Sequence, residues 1–128
     1  MAQLNKARRQ LLASAARTAT TATVKFTDRW AKVLRLYLNV TVASGTGGLQ
    51  PQVRGYDPVS GNAVAISAGG TAIVATGTYV YEIGLAEGTT VGNVKECVLR
   101  PLPDVWDVNV VAGDGSSYTY SLGAEIIP

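Results

Sequence analysis

The stretch Val33-Leu34-Arg35-Leu36-Tyr37-Leu38-Asn39-Val40-Thr41-Val42 decides the fold of this chain. Its even positions, Leu34, Leu36, Leu38, Val40 and Val42, are all apolar, and after Val33 the odd ones are mostly polar. Period two places alternate side chains on opposite faces of an extended backbone, so the stretch predicts a long strand with one face on a core. Ser44-Gly45-Thr46-Gly47-Gly48 then ends it in a turn.

The same grammar continues downstream. Leu49 to Tyr56 reads as a second strand, and Asp57-Pro58-Val59-Ser60-Gly61 has Asp first and Pro second, as a type I turn prefers. Residues 63–68 and 71–76 read as short strands joined by a two-residue Gly69-Gly70 hairpin. Thr78 to Ile83, residues 93–99, Val105 to Val110 and Ser117 to Leu122 complete the set, with Trp106, Val108, Val110, Tyr118, Tyr120 and Leu122 pointing inward. About eight short strands at regular spacing predict an all-β domain, an antiparallel β-sandwich or barrel-like roll. No helix is expected after residue 32.

Upstream the chemistry changes. Residues 1–35 hold eight of the eleven Lys and Arg and one acid, Asp28, a balance of +7. Residues 36–128 hold three basic and eight acidic residues, a balance of −5, and the two sum to the net +2. We therefore divide the chain into a basic N-terminal arm, 1–32, and a β-sandwich domain, 33–128. Residues 4–17 have good helix propensity and a thin stripe of Leu4, Ala7, Leu11 and Ala15, whereas Thr18 to Val24 favour extended backbone. The arm is accordingly expected to be extended or short-helical.

A basic arm on a compact β domain is an attachment device. The candidate partner-binding residues are Leu4, Lys6, Arg8, Arg9, Leu11, Leu12, Arg17 and Lys25: leucines to lie on a partner, cations to meet its carboxylates. Thr18 to Val24 would add as a strand to an exposed edge. Nucleic acid is disfavoured because residues 1–25 hold no aromatic group for base stacking. A membrane surface is disfavoured because the apolar face is narrow and lacks Trp or Phe. A charged fraction of 16%, against about 25% typically, suggests a surface covered by a partner or by further copies.

Little in the chain suggests catalysis. It has no His, hence no common general base and no imidazole metal ligand, and its single Cys97 cannot form an intrachain disulfide or a Cys-based zinc site. Asp104 and Asp107 are three apart on an extended stretch, which points them to opposite faces. Gly113-Asp114-Gly115 offers one carboxylate, enough for a turn and too few for a calcium loop. No catalytic residue, cofactor or metal site is expected. Leu11-Leu12 is too short an apolar run for a signal peptide, so a chain kept in the cytoplasm, or in a particle assembled there, is expected.

Several segments in order, Phe26-Thr27-Asp28-Arg29-Trp30-Ala31, Leu36 to Thr46, Tyr56-Asp57-Pro58-Val59-Ser60-Gly61, Thr76-Gly77-Thr78-Tyr79, Trp106-Asp107-Val108 and Ser116 to Ser121, resemble small β-sandwich virion proteins of tailed bacteriophages. The resemblance spans residues 26–124 and leaves out the start of the arm. It implies a non-enzymatic virion component, first a capsid decoration (cement) protein clamping major capsid subunits through its arm, alternatively a neck or tail component. The implied partners are the major capsid protein or other virion subunits, in a homo-oligomer or lattice. From a different class, a carbohydrate-binding module would use outward tyrosines among Tyr37, Tyr56, Tyr79, Tyr81, Tyr118 and Tyr120 as a stacking platform.

Overall fold

The computed structural model describes residues 7–84 and 90–128. They form an all-β sandwich of ten strands in two sheets of five, not closed into a barrel, with no helix among the described residues. The strands are β1 (Ala7–Arg17), β2 (Thr21–Ala22), β3 (Phe26–Thr27), β4 (Val33–Ser44), β5 (Leu49–Tyr56), β6 (Ala63–Ala65), β7 (Gly77–Ile83), β8 (Val94–Val98), β9 (Val105–Ala112) and β10 (Ser117–Ile127). The first sheet runs β1-β10-β4-β7-β8. The second runs β2-β9-β5-β6, with β3 also pairing β9.

The inward residues are those the alternation selects. Leu34, Leu36 and Leu38 of β4 face Trp106 and Val108 of β9 across the sandwich, and all five are fully buried. In β10 every second residue from Tyr118 to Ile126 is buried. Each buried Leu or Ile contributes about 1.5–3 kcal/mol relative to exposure, so the paired inner faces supply the main driving force.

Four features differ from the expectations above. Residues 7–17 form a strand, not a helix. Eight register pairs on β10, from Ala7↔Ile126 to Arg17↔Tyr118, satisfy the backbone and outweigh a weak intrinsic preference. A register shift between Gln10 and Leu12 lets the adjacent Leu11 and Leu12 both pack on the core, which a regular strand forbids. The arm is thus built into the sandwich: β1 in one sheet, β2 and β3 in the other.

Second, Val42 is 54% exposed although it continues the even-numbered run. Val40 pairs Tyr120 and Val42 pairs Thr119, so Thr41 is an extra residue. That bulge reverses the parity and turns Ala43, not Val42, toward the core.

Third, residues 71–76 contribute one isolated bridge, Leu49↔Ile73, and Gly69-Gly70 is not a hairpin. Ala68 and Gly69 instead donate their backbone N–H groups to the Glu96 carboxylate on β8, while Gln50 on β5 donates to the Gly70 carbonyl. The segment ties the two sheets along one side. Gly70 has φ +64°, and a Cβ there would lie 2.7 Å from the Lys95 carbonyl oxygen, which accounts for the glycine.

Fourth, β8 runs parallel to β7. A parallel neighbour cannot be joined by a tight hairpin, and Ile83 and Val94 are correspondingly separated by ten residues.

Candidate attachment surfaces

The leader cations are positioned by their own sheet neighbours. Arg9, opposite Ala124, points inward at the sandwich margin. Its guanidinium donates to both carboxylate oxygens of Asp28 at 2.8 and 3.2 Å and lies 4.9 Å over the Phe26 ring. Phe26 in turn packs on Trp106 with ring centroids 4.8 Å apart. The bond to Asp28 raises the Arg9 pKa, against the opposing effect of burial. Arg17 donates to the carbonyls of Tyr120 (2.7 Å) and Ala13 (2.6 Å) and sits 4.6 Å over the Tyr120 ring. It bridges the second irregularity of β1, between Leu12 and Ala15. Lys25 lies 4.2 Å over the Tyr56 ring.

Of the residues that the sequence suggested for partner binding, Arg9, Arg17 and Lys25 are therefore engaged within the chain. Leu11 and Leu12 are packed on the core. Arg8 is exposed. Leu4 and Lys6 lie outside the described residues. Thr21 and Ala22, expected to add to a partner's edge, pair with Asn109 and Val110 of their own β9.

Two surfaces remain open. The first is the margin of sheet one. β1 is its terminal strand, and Ala13, Ser14, Ala15 and Ala16 are exposed on both faces. Beside it, a shallow cleft of about 580 Å³ opens on the outer face between Arg8, Gln10, Tyr37 and Gly123. Its floor is fixed by charge: Tyr37 donates to Glu125 at 2.5 Å, and Arg35 bridges Glu125 (3.5 Å) and Glu82 (2.9 Å).

The second is the end of the sandwich where β1 begins and β10 finishes. The Ala31 N–H donates to the Asp28 carbonyl at 3.0 Å, closing a β-turn with Arg29 and Trp30 at its tip. Trp30 is 45% exposed. The turn is anchored below by the Asp28–Arg9 pair and by the Asp28 N–H to the Asp104 carbonyl. Leu102 N–H donates to the Lys32 carbonyl at 3.1 Å, which brings the Leu99–Arg100 segment alongside. Arg29, Lys32 and Arg100 are exposed and have no carboxylate partner among the described residues. Sequence reading passed over this end. The available signal was Asp28 ahead of an Arg-Trp pair, the arrangement of a turn that presents its tip.

The groups weighed for chemistry are structural. Asp107, 2% exposed, accepts a forked pair from Arg54 and the Tyr56 hydroxyl at 2.7 Å. Asp114 accepts from the Ser116 N–H in its turn. Cys97 is half-buried on β8, and burial together with the adjacent Glu82 carboxylate pushes its thiol pKa up, away from an activated thiolate. Tyr79, Tyr81, Tyr118 and Tyr120 are core residues, and Tyr37 and Tyr56 lie on different sheets, so the described tyrosines form no coplanar pair. Comparison with protein-family models, curated proteins and solved structures gives no match.

Proposed function

We propose that this chain is a non-enzymatic structural protein of a virion, of the capsid-decoration type, which clamps major capsid subunits through its N-terminal segment. The observation that carries the reading is the placement of the leader as the terminal strand of a sheet, with small exposed side chains along Ala13–Ala16 and the Arg8 cation beside it. A terminal strand offers unpaired N–H and C=O groups to an extended segment of a neighbour, here apart from the Ala13 and Ala15 carbonyls that Arg17 caps, and small side chains let that segment approach. Arg8 then supplies a charge contact at the rim, where such contacts act mainly on association rate and register. The two irregularities of β1 confine pairing to short stretches, which disfavours open-ended sheet growth. The resemblance of residues 26–124 to tailed-phage virion proteins supports the same class.

The test is incorporation into purified particles, quantified against the major capsid protein. A comparable copy number supports a capsid decorator, and a small fraction of it supports the neck or tail alternative. The variants are Ser14→Lys with Ala16→Lys, which block the strand edge, and Arg8→Glu. Both sites are exposed, so folding should be unaffected while incorporation falls. Full incorporation of all these variants overturns the role of the strand edge. Deleting residues 2–24 is not a clean test, because it removes β1, β2 and the buried Thr23.

A further inference from the structure

The end of the sandwich carries both a knob and a hole. The knob is Trp30, at the tip of the Asp28–Ala31 turn and half-exposed. Its base is rigid, because Asp28 is 7% exposed and held by Arg9. The hole is a cleft of about 470 Å³ on the neighbouring corner, walled by Tyr56, Pro58 and Val105, with Asp57 and Asp104 at its rim and Lys25 stacked on Tyr56. The two lie on one end because Asp28 bonds to the Asp104 backbone and Thr27 pairs Val105.

The charges divide the same way. Arg29 adjoins Trp30 in the chain, Lys32 follows two residues later and the Arg100 segment runs beside Lys32, whereas the hole is lined by Asp57 and Asp104 against one cation, Lys25. A uniformly acidic partner, a nucleic acid or an anionic membrane would meet the two carboxylates along with the cations. A second copy, turned by a two-fold rotation, would bring the cations of the knob onto the net-negative hole, and the reverse. Such self-complementarity is what an isologous contact requires.

We propose that this end is a self-association surface: two copies of the chain pair about a two-fold axis, each inserting Trp30 into the Tyr56–Pro58–Val105 cleft of the other. The inference goes beyond the virion reading and does not depend on it. An exposed Trp with Arg29 next to it is the composition of an interface anchor. Trp30 is already more than half covered in the single chain, so inserting two of them newly buries about 140–230 Å² of the roughly 1,200–2,000 Å² of a standard interface, and the association is a weak one, with Kd on the order of tens of micromolar.

Sedimentation velocity of the full chain tests this over about 1–500 μM, a range that brackets such a Kd. Acrylamide quenching of tryptophan fluorescence is read alongside. Trp106 is fully buried, so quenching reports Trp30. The expected result is a monomer–dimer shift with concentration, with quenching falling in step. Trp30→Ala and Asp104→Arg each alter an exposed side chain. Each should weaken dimerisation at least about tenfold, as loss of an anchor does, with the thermal midpoint unchanged. A chain that stays monomeric with constant quenching overturns the proposal. So does a dimer that both variants leave intact, which would assign association to another surface.

Discussion

At the scale of single residues, the inner face of the sandwich is more polar than its apolar pattern implies. The Tyr81 hydroxyl and the Trp106 indole N–H are buried and make no hydrogen bond with any described residue. Burial pushes the Tyr81 pKa well above the usual tyrosine value, with the Glu96 and Tyr79 charges acting the same way. An unpartnered buried hydroxyl costs about 1–3 kcal/mol of desolvation, so Tyr81→Phe should leave stability unchanged or raise it, as measured by chemical denaturation. Arg9→Ala should do the opposite. It leaves the Asp28 carboxylate nearly buried without its partner and uncovers Phe26. The Arg9 side chain is 30% exposed, so solvent screens the pair, and a loss of about 1–2 kcal/mol is expected by the same denaturation. Neither effect is legible in sequence. Arg9 and Asp28 are nineteen positions apart, and only the fold brings them together.

At the scale of elements, strands with unbroken alternation were legible and departures from it were not. The β9 and β10 patterns read correctly because the β5–β9 pairing is regular and the extra residues beside β10 lie on β1 and β4, so β10 itself keeps its alternation. The run at Leu34–Val42 read correctly as far as Val40. Beyond it, the extra Thr41 is a property of pairing with Tyr120 and Thr119, and a single strand's sequence carries no sign of that. The contrast is measurable. Leu38→Ala should cost about 2–5 kcal/mol through lost burial and a residual cavity, whereas Val42→Thr should change stability by less than about 0.5 kcal/mol. Thermal or urea unfolding of the two variants checks it. Turns carry a pH dependence. The Val59 N–H and the Ser60 hydroxyl hold the Asp57 carboxyl below its ordinary range, and Ser116 does so for Asp114. A folded-state pKa below the unfolded one contributes stability above the unfolded value of about 3.9, and that stability is lost as pH falls through the folded value. Asp57→Asn and Asp114→Asn should therefore lower stability at neutral pH, leave it little changed in acid where the wild-type carboxyls are protonated, and so flatten the stability–pH curve, as urea titrations at a series of pH values would read.

At the scale of the whole molecule, the charge split along the sequence is redistributed in space. Three of the leader cations that sequence assigned to a partner turn inward or onto neighbouring rings, Arg8 stays exposed beside the β1 edge, and Arg29 and Lys32 lie at the end that carries Trp30. Sequence located the attachment function in a detachable arm because composition changes sharply near residue 32, and composition does not report which strand a segment will pair with. A truncation starting after residue 17 distinguishes the two pictures. It uncovers β10, whose Tyr118, Leu122 and Ile126 lose a neighbour, so the shortened chain should melt lower and bind a hydrophobic dye. A dispensable arm would leave melting unchanged.

The pairing of β1 with β10 also sets a timetable. During synthesis β1 must wait for β10, because its whole register lies on residues 118–126. The second sheet has its central pair, β5 and β9, available earlier. Sheet one closes only after residues 118–126 have been made, so folding of this molecule should be slow at its margin. Until then the basic leader is an open strand in the company of every other nascent copy, and the concentration of chains during synthesis decides how often it finds the wrong β10.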